Sequence, residues 1–168
     1  MKSGFTLIEL LVVLVLVALV SGFVVPRIVA PFGHLHVKTA ATEIAGLLRH
    51  CRSQAVSKKI GNAIVFDLDT QEVRVFSPVH PGASSGEELM ERMSAETRYQ
   101  APDGVRVSRA SVGKDVLESG VFTLTFFPNG NSSGGELVIA GETKRQYGIR
   151  IDPITGMVAV SVDESGTL

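Results

Sequence analysis

The sequence has little of what several protein classes depend on. Cys51 is the single cysteine among 168 residues, so no disulfide can form within the chain. The net charge is −1, which leaves no excess of basic side chains. Domains that bind nucleic acids show a basic face, so the composition argues against that class. Cohesion must therefore come from the packing of apolar side chains or from a bound ion.

Catalytic and metal-binding motifs are also scarce. Residues 82–86 match Gly-x-Ser-x-Gly, but a nucleophile elbow needs a strand before it and a histidine after it, and every histidine of this chain comes earlier. The histidines and Cys51 have no four-ligand zinc spacing, and no loop has the alternation of an EF-hand. No Walker or dinucleotide-binding motif is present. We therefore expect no enzymatic activity, no cofactor and no small-molecule substrate.

A long apolar run dominates the N-terminal part of the chain. Within residues 5–25 only four residues interrupt it, namely Thr6, Glu9, Ser21 and Gly22. A helix of about 21 residues extends about 31 Å, which matches the hydrocarbon core of a bilayer. The run therefore predicts a transmembrane helix over residues 5–25.

Glu9 is the unexpected residue in this run. A carboxylate deep in hydrocarbon costs about 2.5–3.5 kcal/mol, so Glu9 needs a partner. Cleavage between Gly4 and Phe5 would place a new amino group, cationic at neutral pH, four residues before Glu9. These two charges can pair within one helix or between neighbouring helices. Pairing between helices would make Glu9 an assembly contact.

Residues 4–11, Gly-Phe-Thr-Leu-Ile-Glu-Leu-Leu, resemble the class III signal of type IV pilins and type II secretion pseudopilins. The resemblance implies that residues 1–4 are a leader peptide, and that a prepilin peptidase cuts after Gly4 and methylates the amino group of Phe5. It also implies that Glu9 promotes assembly through a bundle of N-terminal helices with other minor and major pseudopilins.

Two alternatives explain less of the N-terminal run. An ordinary secretory signal would have a shorter apolar core and a small-x-small cleavage site, which this sequence lacks. A plain membrane anchor accounts for the length but leaves Glu9 and the Gly4–Phe5 junction unexplained.

Charge gives a weak signal for orientation. Lys2 precedes the apolar run, which favours a cytoplasmic N-terminus, whereas Arg27 just after the run opposes it. The resemblance to the pilin signal therefore carries more of the prediction. It implies a single-pass protein of the bacterial inner membrane with its N-terminus in the cytoplasm and its C-terminal domain in the periplasm.

Two prolines and then an amphipathic pattern follow the run. Pro26 and Pro31 each lack the N–H that a helix needs, so we expect a helix kink or a loosened segment over residues 26–34, with a simple helix end as the alternative. Apolar residues at three- and four-residue steps then predict an amphipathic helix over residues 35–60. These residues are Val37, Ala40, Ala41, Ile44, Leu47, Leu48, Cys51 and Ala55.

Residues 61–168 are predicted to form a periplasmic β-sheet domain. Short alternating segments predict strands over residues 63–67, 72–76, 105–112, 121–127, 136–140, 146–151 and 157–162. Residues 68–71 and 152–156 predict turns, and residues 77–103 a long polar loop with a candidate helix over 87–93. The predicted fold class is α+β, with a long N-terminal helix packed on an antiparallel sheet.

Two motifs in the second half resemble GspH-type minor pseudopilins and the related FimT-type minor pilins. They are Thr-Phe-Phe-Pro-Asn-Gly at residues 125–130 and Ile-Asp-Pro-Ile-Thr-Gly at residues 151–156. The resemblance implies a pilin-like fold and a minor pseudopilin of type II secretion. The first alternative is a FimT-like minor pilin for adhesion or DNA uptake, the one case in which a nucleic acid partner is expected. The alternative from another class is a membrane-anchored binding or enzymatic domain.

Overall fold

The computed structural model describes residues 6–29, 33–79, 85–141 and 145–163. The chain divides into two compact units, Met1–Phe32 and Gly33–Leu168. The first unit contains one described helix, α1 (Leu7–Val29). The second contains the helices α2 (Gly33–Lys58) and α3 (Gly86–Arg92) together with all the described strands.

α1 begins at a capped residue. The Thr6 hydroxyl accepts the backbone N–H of Glu9 at 3.3 Å, and the Thr6 carbonyl accepts the N–H of Leu10 at 3.2 Å. Threonine followed three residues later by glutamate is a capping-box pattern, so the sequence itself starts the helix here. Among the described residues, no helix combines the length and the hydropathy of a membrane span.

The helix boundaries differ from the segment predicted over residues 26–34. α1 continues past Pro26 to Val29, and α2 begins at Gly33, two residues earlier than predicted. Proline removes one intrahelical hydrogen bond, but its fixed φ is compatible with a helix, so the helix can continue through it. The predicted segment of residues 26–34 is therefore helical at both ends, in α1 up to Val29 and in α2 from Gly33. Pro31 lies outside the described residues, and a kink at Pro26 or Pro31 stays a prediction.

α2 buries one stripe of small and apolar side chains. Of the eight residues predicted for this stripe, seven are buried and Leu47 is half-buried. Several members are alanines, which let the helix lie close to the strands. Burial raises the pKa of the Cys51 thiol to about 12, so this side chain stays protonated at neutral pH. Cys51 is a core residue, as its place on the stripe predicted.

The described strands number nine and pair antiparallel throughout. They are β1 (Gly61–Asp67), β2 (Glu72–Val79), β3 (Thr97–Gln100), β4 (Val105–Val112), β5 (Asp115–Leu117), β6 (Val121–Phe126), β7 (Gly135–Gly141), β8 (Gln146–Ile151) and β9 (Val158–Asp163). Seven of them were predicted, and the α+β class is confirmed. The sequence signal missed β3 and β5 because both are short edge strands without apolar alternation.

The strands form two sheets, so the prediction of a single sheet was wrong. One sheet has the order β3-β2-β1-β6 and the other the order β5-β4-β7-β8-β9. α2 packs against strands of both sheets, and the inner faces share one core with its apolar stripe. α3 covers the other face of the first sheet, where Leu89 packs with Val65 and Phe76. Alternation predicts strands but not which distant strands pair, so the division into sheets was not visible in the sequence.

Gln71, in the turn between β1 and β2, connects this hairpin to β4 of the second sheet. Its side-chain Oε1 accepts the N–H of Val107 at 2.6 Å, and its Nε2 donates to the Val107 carbonyl at 3.2 Å. Nε2 also donates to the Leu68 carbonyl at 2.6 Å within the turn. The amide thereby imitates one step of a strand ladder, beside the register shift in β4.

We expect Gln71→Ala to lower the free energy of unfolding by about 1–3 kcal/mol, because the half-buried Val107 N–H loses its partner. Urea unfolding of the full chain in detergent micelles measures this loss. Gln100→Ala is the matched control. It removes an exposed side-chain amide that bonds the same turn, since Gln100 Nε2 donates to the Thr70 carbonyl at 3.1 Å. The control should cost less than about 0.5 kcal/mol. Equal losses in the two variants would contradict a special role for Gln71.

Candidate functional site

The predicted N-terminal signal is described only in part. Gly4 and Phe5 lie outside the described residues, and their roles in cleavage and methylation stay predictions. Glu9 is exposed in the first turn of α1, near the positive end of the helix dipole. Its backbone N–H donates to the Thr6 hydroxyl at 3.3 Å, so residue 9 takes part in the N-terminal cap through its backbone. Sequence reasoning missed this N-terminal cap at Thr6.

The apolar side chains of α1 are exposed within their own unit. From Leu7 to Leu19 every described residue is exposed, and the large apolar side chains among them keep 48–83% of their surface accessible. A helix that is apolar all round needs lipid or other helices to cover it. α1 therefore has the surface that an assembly helix requires.

The two motif segments of the second half meet beside α2. Arg52, on α2, donates through Nε to the carbonyl of Gly130 at 3.2 Å and to the carbonyl of Thr155 at 3.1 Å. Ser132 connects the segments again, since its hydroxyl donates to the Asp152 carbonyl at 3.0 Å. Two motifs that are separate in the sequence thus form one surface, organised by a single arginine.

We call this region the signature-turn surface. It consists of residues 128–133, residues 152–157, Arg49 and Arg52. Arg49 donates to the Val158 carbonyl at 3.0 Å, where β9 begins. A cavity of about 180 Å³ lies between the two arginines and β9, and it is lined by Arg49, Arg52, Gly156, Met157 and Val158. Ile154 and Met157 project from the surface with 82% and 65% of their area exposed.

Asp152 holds the second motif in its turn. Its Oδ1 accepts the N–H of Thr155 at 2.7 Å, the hydroxyl of Thr155 at 2.9 Å and the N–H of Ile154 at 3.0 Å. These hydrogen bonds, the one from the Thr155 backbone foremost, lower the pKa of the Asp152 carboxyl. Gly156 completes the turn with a φ of +64°, and its N–H donates to the Asp152 carbonyl at 2.8 Å. The turn predicted here is confirmed.

We expect the Asp152 turn to make stability depend on acid. A carboxyl whose pKa is lower in the folded state stabilises that state above the unfolded pKa of about 3.9, and the contribution disappears as pH falls through the folded value. Melting temperatures of the full chain between about pH 5 and pH 2 measure the effect. The Asp152→Asn variant should show a shallower fall over this range. A slope identical to that of the parent would contradict the assignment.

The signature-turn surface carries groups that are typical of protein contacts. It presents two guanidinium groups, backbone carbonyls and two exposed apolar side chains, which together are typical of a polar rim beside apolar contacts. No group of three or more potential metal ligands occurs within the described part of the chain. Arg49 and Arg52 stand three residues apart on α2, and that spacing was the one sequence signal for their shared position.

Comparison with protein families settles the relationship of the chain. The family model of the type II transport protein GspH matches residues 40–156, which include both motif segments. The chain belongs to the GspH family. The prokaryotic N-terminal methylation motif, which is typical of membrane-anchored pilin-like proteins, matches residues 1–25. No curated protein sequence gives a significant match.

Solved structures of two bacterial proteins resemble this GspH-family chain. The minor pseudopilin EpsH from the type 2 secretion system of Vibrio cholerae has 12% sequence identity and a TM-score of 0.54, over 76% of this chain and 97% of the EpsH chain. The type IV minor pilin FimU of Pseudomonas aeruginosa has 16% identity and a TM-score of 0.55, over 78% and 95%. These likenesses confirm the pilin-like α+β fold.

Proposed function

We propose that this GspH-family chain is a minor pseudopilin of a type II secretion system. The observation that carries the proposal is the presence of the GspH family match and the N-terminal methylation motif on one chain. After cleavage the subunit would begin at Phe5 and wait in the bacterial inner membrane. Its N-terminus would lie in the cytoplasm and its C-terminal domain in the periplasm.

Two properties of α1 support assembly from the membrane. Its exposed apolar side chains can exchange lipid for neighbouring helices with little change in their apolar surroundings. Glu9 would gain the cationic amino group of a neighbouring subunit, which offsets the cost of a carboxylate in hydrocarbon. Other minor and major pseudopilins supply these helices. Because the sequence has no Walker motif, a separate ATPase would supply the energy of assembly.

We expect protein purified from membranes to begin at Phe5 with a methylated amino group, because the Gly4–Phe5 junction has the prepilin peptidase pattern. Mass spectrometry of the N-terminal peptide measures both changes. Gly4→Val should abolish processing and retain the leader, whereas the neighbouring control Ser3→Ala should be processed fully. A parent protein that still begins at Met1 when the peptidase is present would refute the proposal.

The likeness to FimU favours a second candidate, a minor pilin of a type IV pilus. Deletion of the gene separates the two. Loss of secreted enzymes supports the pseudopilin, and loss of twitching motility or transformation supports the pilin. Turnover of a substrate or tight binding of a small ligand by the C-terminal domain would instead support a binding or enzymatic role.

A further inference from the structure

Within the described residues, three of the four sheet edges are short or covered. β3 has four residues and β5 has three. β6 is covered at its end by Ser133, whose N–H donates to the Thr125 carbonyl at 2.9 Å and whose hydroxyl accepts the Thr125 N–H at 3.0 Å. β9 has six residues in unbroken register with β8 and contains neither proline nor lysine. Apart from Asp163 at its end and Arg49 at its first residue, β9 therefore lacks the usual features that protect an edge strand.

Arg49 indicates which backbone groups of β9 face outward. It donates to the Val158 carbonyl, so this carbonyl points away from β8. Successive residues of an antiparallel strand alternate between bonding the partner strand and facing away from it. Val160 and Val162 therefore direct their N–H and C=O groups away from the sheet, whereas Ala159 and Ser161 bond β8. The edge offers two donors and two acceptors at the spacing of a strand ladder.

The side chains of the same two residues are open as well. Val160 and Val162 lie on the same face of the strand as Val158, because side chains alternate with a period of two. Val158 packs against the core, whereas Val160 and Val162 are 36% and 52% exposed. An incoming strand with apolar residues at alternate positions would cover both.

Two arginine side chains lie beside the start of the open β9 edge. Arg49 and Arg52 line the 180 Å³ cavity beside the start of β9. Among the described residues no carboxylate forms a salt bridge with either guanidinium, and their hydrogen bonds go to backbone carbonyls. A carboxylate is the complementary group, since charge-assisted bonds to arginine are the stronger ones.

We propose that the outer edge of β9 is a strand-addition site for a different polypeptide chain. The occupant is an extended segment with apolar side chains at alternate positions and an acidic residue at the end that reaches Arg49 and Arg52. Backbone bonds to Val160 and Val162 provide affinity, and the two arginines set the register. The site lies in the domain that the proposed function places in the periplasm, but the strand-addition proposal depends only on binding at the β9 edge.

The test uses a synthetic peptide of about eight residues, a common strand length, with alternating valine and threonine and a terminal glutamate. It is added to the isotope-labelled full chain in detergent micelles, and amide exchange is followed by NMR. Exchange at Val160 and Val162 should slow about tenfold, while Ala159 and Ser161, which already bond β8, stay unchanged. A peptide ending in glutamine should bind about tenfold more weakly, and Arg49→Gln should abolish this difference.

Two substitutions block the edge. Val160→Pro removes an outward N–H without removing a bond to β8, so the melting temperature should hold while peptide affinity falls about tenfold or more. Val162→Lys is the second block, should the proline variant not fold. Unchanged binding by a folded variant, protection at other residues, or no binding at millimolar peptide would overturn the proposal. A dimer that either substitution dissolves would show that a second copy occupies the edge, and would overturn the proposed occupant.

Discussion

Gly156→Ala is expected to destabilise the folded chain by about 2–5 kcal/mol, because it combines a left-handed backbone with overpacking. A Cβ at this position would lie 2.3 Å from the Gly130 carbonyl oxygen and 2.8 Å from Nε of Arg52. The oxygen belongs to the backbone and cannot move alone. Thermal unfolding of the full chain in detergent micelles should show a melting temperature lower by about 5–15 °C.

Gly113→Ala is the matched control for this substitution. Gly113 has a φ of +61°, close to the +64° of Gly156, but no atom lies within 4 Å of a Cβ placed there. It should cost about 1–2 kcal/mol, the usual penalty of the left-handed conformation. The excess loss at Gly156 then measures the close approach of the two turns. If both variants lose the same stability, the close approach contributes nothing and the argument fails.

This close approach explains why the second motif ends in glycine. Gly130 and Gly156 both have positive φ, and the carbonyl of the first occupies the space that a Cβ on the second would need. The same carbonyl accepts a hydrogen bond from Arg52. A side chain at residue 156 would therefore displace the arginine and separate the turns. Gly156 therefore serves both its own turn and the shape of the signature-turn surface.

Patterns in the sequence correctly predicted the elements whose structure is determined by interactions between residues close in the sequence. The buried stripe of α2 follows from the spacing of apolar residues such as Val37, Ile44 and Leu48 along a helix. The turn at Asp152 follows from an aspartate whose side chain bonds the backbone two and three residues ahead. In these cases the cause and the structure lie within a few residues of each other.

Such patterns could not predict contacts between residues that are distant in the sequence. β3 has the sequence Thr-Arg-Tyr-Gln, which is too short and too polar for an apolar alternation, and it is a strand because its backbone pairs with β2. Gln71 looks like an ordinary turn residue until Val107 of the other sheet lies beside it. The sequence around Arg52 predicts a solvated helix residue, and only the tertiary fold places two turns beside its guanidinium. The tertiary fold creates each of these roles, so a single sequence does not display them.

Glu9→Gln is expected to reduce co-purification of the chain with partner pseudopilins about tenfold or more, while the amount in the membrane fraction is unchanged. The carboxylate costs about 2.5–3.5 kcal/mol in hydrocarbon when unpaired, so under the proposed function its pairing with a neighbour's amino group would drive the exchange of lipid for helices. The neutral variant inserts more easily and gains nothing from the neighbour. Membrane fractionation and affinity purification from detergent extracts measure the two quantities separately.

The choice of glutamine separates the charge of residue 9 from the N-terminal cap at Thr6. Glutamine is accepted at the third helical position of a capping box, so the variant keeps the cap and loses only the charge. Thr6→Ala is the complementary control, because it removes the hydroxyl that accepts the Glu9 N–H and leaves the carboxylate in place. If charge pairing governs assembly, Thr6→Ala co-purifies normally and Glu9→Gln does not. The reverse result would show that the Thr6 cap, and not the Glu9 charge, governs assembly, since a frayed first turn would then be what prevents the helices from joining.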